Sequence, residues 1–327
     1  MRYSVLTQVE RRRWPRRRRP LALLVLAAAL GAGAVAGIQH FRTHPEPATA
    51  APKPKPAQAP RRQPVTARPT AVALLTTPAP PRHGAPSVAA RSAVLVDAST
   101  GAVLWQKRPH RRRPIASTTK IMTATLVLER LRLDHVVTVA PGVPRTPLVR
   151  EGLRARERVP VWKLLNGLLI FSGNDDALAL AVAAGGSRRQ FLELMNEKAH
   201  ELGLRDTHFS STSGVIDKDN YSSAWDLAAL TRYAMRDVHF RKIVATKIAR
   251  VRWSPPTYRK VYVNKNALLG TYRGADGVKT GWTTVAGHCL VASAHRRGVR
   301  LIAVLLHSPD PYGDARRLLN FGFALSR

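Results

Sequence analysis

Ile115-Ala116-Ser117-Thr118-Thr119-Lys120-Ile121-Met122-Thr123-Ala124 reads as the opening of a helix that continues through Leu131. Ser117 and Lys120 stand three residues apart, and on a helix that spacing puts both on one face. The continuation is apolar nearly all round: Ile121, Met122, Ala124, Leu126, Val127, Leu128 and Leu131. That is the pattern of a helix buried in the middle of a domain. A lysine at the mouth of such a helix is partly desolvated, which disfavours its charged form. A neutral amine within reach of a hydroxyl can take its proton, and a serine weak at its free pKa then becomes a nucleophile. Ser-x-x-Lys alone recurs by chance on many helices, so its meaning depends on what else the chain carries.

Working outward, residues 92–97 read as a strand, Ala98-Ser99-Thr100-Gly101 as a turn and residues 102–106 as the returning strand. A basic loop, 107–113, leads to Pro114 and the Ser117 helix. Residues 159–171 are a periodic apolar segment that breaks at Ser172-Gly173-Asn174; a new helix starts at Asp175 and ends by Gly185-Gly186. Ser187-Arg188-Arg189-Gln190 makes a capping box for the next helix, which closes at Gly203. Ser223-Ala224-Trp225-Asp226 opens another. Strand character returns at 277–282, 287–294 and 299–306, with a turn at Arg296-Arg297-Gly298, and 314–325 is a closing helix. Strands at both ends with helices between predict an α/β (α+β) fold: one antiparallel sheet built from both chain ends, with a helical subdomain inserted.

The 327 residues carry a formal net charge of +33, an excess that suggests an anionic partner: nucleic acid, a membrane surface or an acidic wall polymer. Part of that charge has a simpler role. Seven arginines between 11 and 19 precede an uncharged apolar run, 21–38, and Arg42 alone closely follows it. Such asymmetry keeps residues 1–20 in the cytoplasm and sends the bulk of the chain outside. The run is at the lower edge of what spans a bilayer. Ala34-Val35-Ala36 resembles a signal-peptide cleavage site, but the run exceeds the usual apolar core of such a leader, which favours a retained anchor. Residues 39–87 are rich in Pro and Ala, have little to bury and read as an extended, disordered tether. The folded domain is 88–327. Cys289 is the one cysteine, so no intrachain disulfide forms, and its apolar setting marks a buried structural thiol. His208, His288, His295 and His307 show no metal-ligand spacing.

Three short runs belong together: Ser117-Thr118-Thr119-Lys120, Ser172-Gly173-Asn174 and Lys279-Thr280-Gly281. They come in that order, each at an element boundary, on a chain that reads as exported. Ser-x-x-Lys, Ser-Asp-Asn and Lys-Thr-Gly together characterise penicillin-binding proteins and β-lactamases, and Ser172-Gly173-Asn174 stands in the place of the second. The sequence resembles the D-alanyl-D-alanine carboxypeptidase family of serine-type low-molecular-mass penicillin-binding proteins. Runs 114–124, 171–177, 202–230 and 276–287 carry the resemblance, which extends over 90–325. It implies a β-lactamase/DD-peptidase-like fold. It implies Ser117 as the acylated nucleophile, Lys120 as its base and Ser172 as a proton relay to the leaving amine. Asn174 would hydrogen-bond the substrate backbone, Lys279 and Thr280 would hold its terminal carboxylate, and the N–H groups of Ser117 and Trp282 would form the oxyanion hole. Gly281, a glycine on a strand, allows close backbone approach.

The resemblance implies a peptidoglycan stem peptide as substrate, β-lactams as inhibitors, no metal or organic cofactor, and a place in the bacterial cell envelope outside the cytoplasm. Many members carry a second β-rich domain and a C-terminal amphipathic anchor; the sequence ends at Arg327, so attachment to the cytoplasmic membrane is expected from the N-terminal segment. Asp175 and Asp176 read as first-turn carboxylates that complement the helix dipole, without a catalytic role. Rival readings are a DD-endopeptidase or a β-lactamase of the same fold, and a non-catalytic penicillin-sensing or wall-binding module. No Glu-x-x-Leu-Asn run speaks for a β-lactamase, and the intact motifs speak against a sensor. Nucleic-acid binding rests on charge alone, with no motif to support it.

Overall fold

In the computed structural model, residues 75–76, 84–215, 218–253 and 259–325 are described, all within one compact unit. Residues 1–38, and the stretch 39–87 apart from 75–76 and 84–87, lie outside the described residues. So do the expectations of a basic cytoplasmic segment, an anchor or leader, and most of a tether. Within the stretch read as a tether, Leu75 is buried against the core and the Thr76 N–H donates to the Gly101 carbonyl at 2.9 Å. That part is docked rather than free. Among the described residues no helix is long and apolar enough to cross a membrane.

The sheet is five-stranded: β1 (Ser92–Asp97), β2 (Val103–Lys107), β9 (Ala275–Thr283), β10 (Gly287–Arg296) and β11 (Val299–Leu306), in the spatial order β2-β1-β11-β10-β9. Every neighbouring pair is antiparallel, and β1 pairs with β11 from Ser92↔Leu306 to Asp97↔Leu301. The sheet is therefore built from both chain ends, as expected. Its central strands are apolar through Ala93–Val96, Cys289–Ala292 and Leu301–Leu306 because both faces are covered there. Alternation then assigns each residue a side. Val94, Val96, Val291, Ile302 and Val304 face the larger core, under the helices, while Ala93, Leu95, Leu290, Ala303 and Leu305 face a smaller core. The smaller core is closed by Ala315, Leu318 and Leu319 of the last helix, α7 (Pro311–Leu325). Cys289 lies in the larger core, and burial pushes its thiol up to about 11, as befits a structural cysteine.

Between β2 and β9 runs the helical insert. β3 (Arg113–Pro114) leads through a 3-10 turn, Ala116–Thr119, into α1 (Lys120–Arg130). The predicted first helical turn is thus wound more tightly than α-helix. α1 is buried from Lys120 through Val127, the centre of the insert. Short strands β4 (Val136–Thr138) and β5 (Arg158–Pro160) pair ahead of α2 (Val161–Asn166), which loosens into a π turn, Gly167–Phe171. α3 (Asn174–Gly185), α4 (Arg188–Glu201), β6 (Tyr221–Ser222) and α5 (Ala224–Ala234) follow. Ser187 caps α4 and Ser223 caps α5, each accepting a main-chain N–H three residues on. Beyond α5 lie elements the sequence reading did not anticipate: α6 (Val238–Ala245) and the hairpin of β7 (Ile248–Arg252) and β8 (Arg259–Val263).

Candidate active site

The 3-10 turn presents Ser117 at the end of α1, 9% exposed, with Lys120 fully buried beneath it. Lys120 Nζ lies 3.0 Å from Ser117 Oγ, 2.8 Å from Asn174 Oδ1 and 3.3 Å from the Ser213 carbonyl oxygen. Burial lowers the lysine's pKa well below its ordinary value, and the nearby Lys279 adds to the effect; Asp176 and Asp175 oppose it. A neutral amine has two N–H groups and one lone pair. With the oxygens of Asn174 and Ser213 taking the N–H groups, the lone pair is left for the Ser117 hydroxyl proton. No carboxylate hydrogen-bonds to Ser117 or Lys120 among the described residues.

Ser172 and Asn174 come from the turn between the π segment and α3. Ser172 sits in the left-handed region at φ +75°, its N–H donating to the Gly167 carbonyl at 2.8 Å. It is buried, yet no hydrogen bond reaches its Oγ among the described residues. Asn174 also donates Nδ2–H to the Pro147 carbonyl, which fixes its amide so that Oδ1 faces Lys120. A concavity of about 310 Å³ adjoins this side, lined in part by Asn174, Ser211, Thr212, Ser213 and Val215.

The two aspartates after Asn174 do more than complement a dipole. Asp175 is fully buried and accepts the N–H groups of Glu151 (2.7 Å), Gly152 (2.8 Å) and Leu153 (3.1 Å), clamping that loop to the start of α3. Asp176 is equally buried, with no partner for either oxygen among the described residues. Burial, then Glu151 and Asp175, raise its pKa well above the usual carboxylate range. A buried carboxyl that lacks partners stays protonated rather than charged. Its side chain folds back over the turn: a Cβ at Gly173 would lie 2.0 Å from Asp176 Oδ2.

β9 brings the third run to the nucleophile. A Cβ at Gly281 would lie 2.9 Å from Ser117 N and 3.1 Å from the Ile115 carbonyl oxygen, so this strand approaches the turn at backbone distance. Lys279 is almost completely buried, its Nζ donating to the Thr280 carbonyl at 3.0 Å. Burial, helped by Lys265, brings its pKa down to about 7. Trp282 is 59% exposed, its ring 6.2 Å from that of His288. The structure therefore joins Ser117, Lys120 and Asn174 by side-chain contacts, brings Gly281 to backbone distance of Ser117, and sets Lys279 close enough to depress Lys120; Ser172 lies two residues before Asn174, and Thr280 and Trp282 flank Gly281 on β9. Among the described residues, only Lys120 makes side-chain bonds to two of the other motif residues.

The chain can now be set beside known proteins. A family model described as D-alanyl-D-alanine carboxypeptidase matches residues 78–310. The chain belongs to the D-alanyl-D-alanine carboxypeptidase family. It is similar to the D-alanyl-D-alanine carboxypeptidase DacF of Bacillus subtilis, 35% identical over 244 residues, covering 72% of this chain and 62% of the relative. It is similar also to the D-alanyl-D-alanine carboxypeptidase of Streptomyces sp. K15, 37% identical over 259 residues, covering 73% of this chain and 89% of that one. The solved Streptomyces K15 DD-transpeptidase superposes with a TM-score of 0.70 at 36% identity, covering 73% of this chain and 99% of that chain. The alignment with DacF thus spans less than two thirds of that protein's length, whereas nearly all of the K15 structure is matched. The fold is that of DD-peptidases and penicillin-binding proteins.

Four contributors in this family member escaped the motif reading. Ser213 supplies a carbonyl to Lys120. Gly214, at φ +74°, lets its loop lie against the nucleophile turn, where a Cβ would fall 1.9 Å from the Ala116 carbonyl oxygen. Ser211 Oγ holds both in place by accepting their N–H groups at 3.2 and 3.0 Å. The Ser-Gly pair was the available signal, and alone it marks only a turn. Lys265 is the fourth, close enough to Lys120 and Lys279 to depress both.

Proposed function

We propose that this protein is a serine-type D-alanyl-D-alanine carboxypeptidase that removes the terminal D-alanine from peptidoglycan stem peptides through an acyl-enzyme at Ser117. The observation that carries the reading is the buried Lys120 amine, held well below its ordinary pKa, 3.0 Å from Ser117 Oγ. Lys120 takes the hydroxyl proton as Ser117 Oγ attacks the carbonyl of the penultimate D-alanine. The N–H groups of Ser117 and Trp282 receive the developing oxyanion. Ser172 passes the proton to the departing amine, and the C–N bond breaks to release D-alanine. Asn174 holds the peptide backbone, and Lys279 with Thr280 holds the free terminal carboxylate. Water then hydrolyses the ester. β-Lactams acylate the same serine and stay, because among the described residues no carboxylate hydrogen-bonds to Ser117 or Lys120 to activate a deacylating water. An amine in place of water would make the same intermediate a transpeptidase, the activity named for the K15 structure. D-Alanine release with and without an added amine acceptor separates the two.

On this reading residues 88–327 are the catalytic domain, working outside the cytoplasmic membrane, while residues 21–38 serve as anchor or leader and residues 39–87 as spacer. The arginines of residues 11–19 support that topology. A reporter fused after residue 87 should be active only outside the cytoplasm. The test of the chemistry is intact mass after mixing with benzylpenicillin. The parent should gain one penicilloyl group and Ser117→Ala none; a full-yield adduct on the alanine variant would overturn the assignment.

A further inference from the structure

Away from the catalytic groups, Arg91, Arg108, Arg111 and Arg113 line an open concavity of about 560 Å³. Arg113 is fixed at its base, donating Nε–H to Ser92 Oγ at 2.8 Å and an Nη2–H to the Arg91 carbonyl. Both acceptors are neutral. Among the described residues, no carboxylate pairs with any of the four, whereas their neighbours His110 and Arg112 both reach Asp206. The field inside is correspondingly strong. Arg113 is held below its ordinary pKa by burial and then by Arg91, Arg111 and Arg108. The His307 imidazole is lowered too, by burial and then by Arg91 and Arg113. Four like charges on flexible stems spread into water unless an anion gathers them.

The chain has little to offer as that anion: residues 1–83 hold Glu10 and Glu46 as their only acidic side chains. Among the described residues, none of the large exposed apolar side chains lines the concavity, which speaks against a surface that inserts into lipid. No aromatic ring among the described residues lines it either, so none of them stacks a base there. A hollow also suits a chain of discrete anionic groups better than a flat bilayer does.

We propose that the concavity formed by Arg91, Arg108, Arg111 and Arg113 binds consecutive phosphate groups of a base-free polyanionic chain, separately from the peptide site. Guanidinium forks match phosphate oxygens two at a time, which a strongly hydrated ammonium does not. The test uses inorganic tripolyphosphate as probe, measured by calorimetry on the full chain across a salt series. Arg91→Gln/Arg111→Gln should weaken binding on the order of tenfold and reduce the salt slope by roughly two. It should leave penicillin acylation unchanged. Removing the same charge from the hairpin, with Arg250→Gln/Arg252→Gln, should change affinity less than about twofold. His307, followed by NMR, should titrate at higher pH once tripolyphosphate relieves the field of the arginines. Equal losses in the two double variants would show diffuse charge attraction and overturn the proposal, as would an unmoved His307. Stronger arginine-dependent binding of a ten-nucleotide DNA strand, or of phosphatidylglycerol vesicles, would assign the surface to a different partner and overturn it as well.

Discussion

Gly281→Ala adds one methyl group where β9 meets the nucleophile turn. The added carbon would stand 2.9 Å from Ser117 N, 3.1 Å from Ala116 Cβ and 3.1 Å from the Ile115 carbonyl oxygen. Favourable contacts sit near 3.5 Å, so the tightest of these falls roughly half an ångström short. Two of the three neighbours are main-chain atoms, and none is the free end of a flexible side chain. The turn has little freedom to yield, since Ala116 is already at φ +47°. The overlap is therefore relieved by a shift of strand against turn, at a cost of about 1–3 kcal/mol for overpacking. For a domain of this size each kcal/mol lowers the melting temperature by about 2–4 °C. A 1 Å misplacement of reacting groups costs about a hundredfold in rate. Half of that costs on the order of tenfold, and stopped-flow acylation by a fluorescent penicillin reads it directly. The pH dependence set by Lys120 should survive, because the Lys120–Ser117 distance lies within one turn. Gly142, with nothing within 4 Å of a built Cβ, is the control, and Gly142→Ala should acylate like the parent. A Gly281→Ala enzyme with parental acylation and melting temperature would refute the close-approach argument.

Lys120→Arg should lose at least about two orders of magnitude in acylation, since a guanidinium keeps its proton and cannot act as base. The parent's acylation rate should climb with pH through the depressed lysine value and then level off, a curve the arginine variant lacks. Lys279→Ala removes a charge-assisted contact worth about 1.5–3 kcal/mol. It should lower kcat/KM for a peptide ending in D-Ala-D-Ala by roughly one to two orders of magnitude and erase the preference for that acid over its C-terminal amide. Because the Lys279 amine titrates at about 7 in the free enzyme, the parent's kcat/KM on the acid should fall above that pH while that on the amide does not. Asp176→Asn tests the protonated carboxyl by denaturant unfolding at pH 5 and pH 8. The folded pKa lies above the unfolded one, so the parent's contribution from this group is complete below the unfolded value and drains away as pH rises through the folded value. The asparagine variant lacks that slope and should gain on the parent between pH 5 and 8; an equal difference at both pH values counts against a buried neutral Asp176.

Much of this architecture was readable because chemistry and burial restrict which residues serve. The strands of the sheet announce themselves as short apolar runs between turns, and Ser117, Lys120, Ser172, Asn174 and Lys279 belong to motifs that need those residue types. What escaped was carried by main chain and by distance. Asp175 looks like any first-turn acid, and only the fold reveals that its oxygens hold the N–H groups of residues 151–153. Gly214 matters for a carbonyl it would otherwise strike nearly a hundred residues away, which no local pattern records. The π turn before Ser172 continues an unbroken apolar periodicity, so its altered winding leaves no trace in the sequence. The β7–β8 hairpin mixes apolar with basic residues but leaves Ile248, Val261 and Val263 exposed, so its pattern lacks the usual link to burial. The docked Leu75 sits among prolines and alanines that otherwise speak for a spacer.

The pairing of β1 with β11 has a consequence for how the protein is made. A ribosome delivers β1 more than two hundred residues before the strand that flanks it. Nor can the cleft exist sooner, since its serine lies at 117 and the strand facing it begins at Ala275. The Asp314 carboxylate finishes the closure by accepting the N–H groups of Ala89 and Ala90 at 2.9 and 2.8 Å. Such sequence-distant contacts make folding slow and late, because the loop-closure entropy is lost before any of them forms. During synthesis the growing chain can assemble helices but no complete sheet and no acylating serine. A nascent chain halted before β11 should therefore form no penicillin adduct, which makes antibiotic labelling a reporter of completed folding as well as of catalysis.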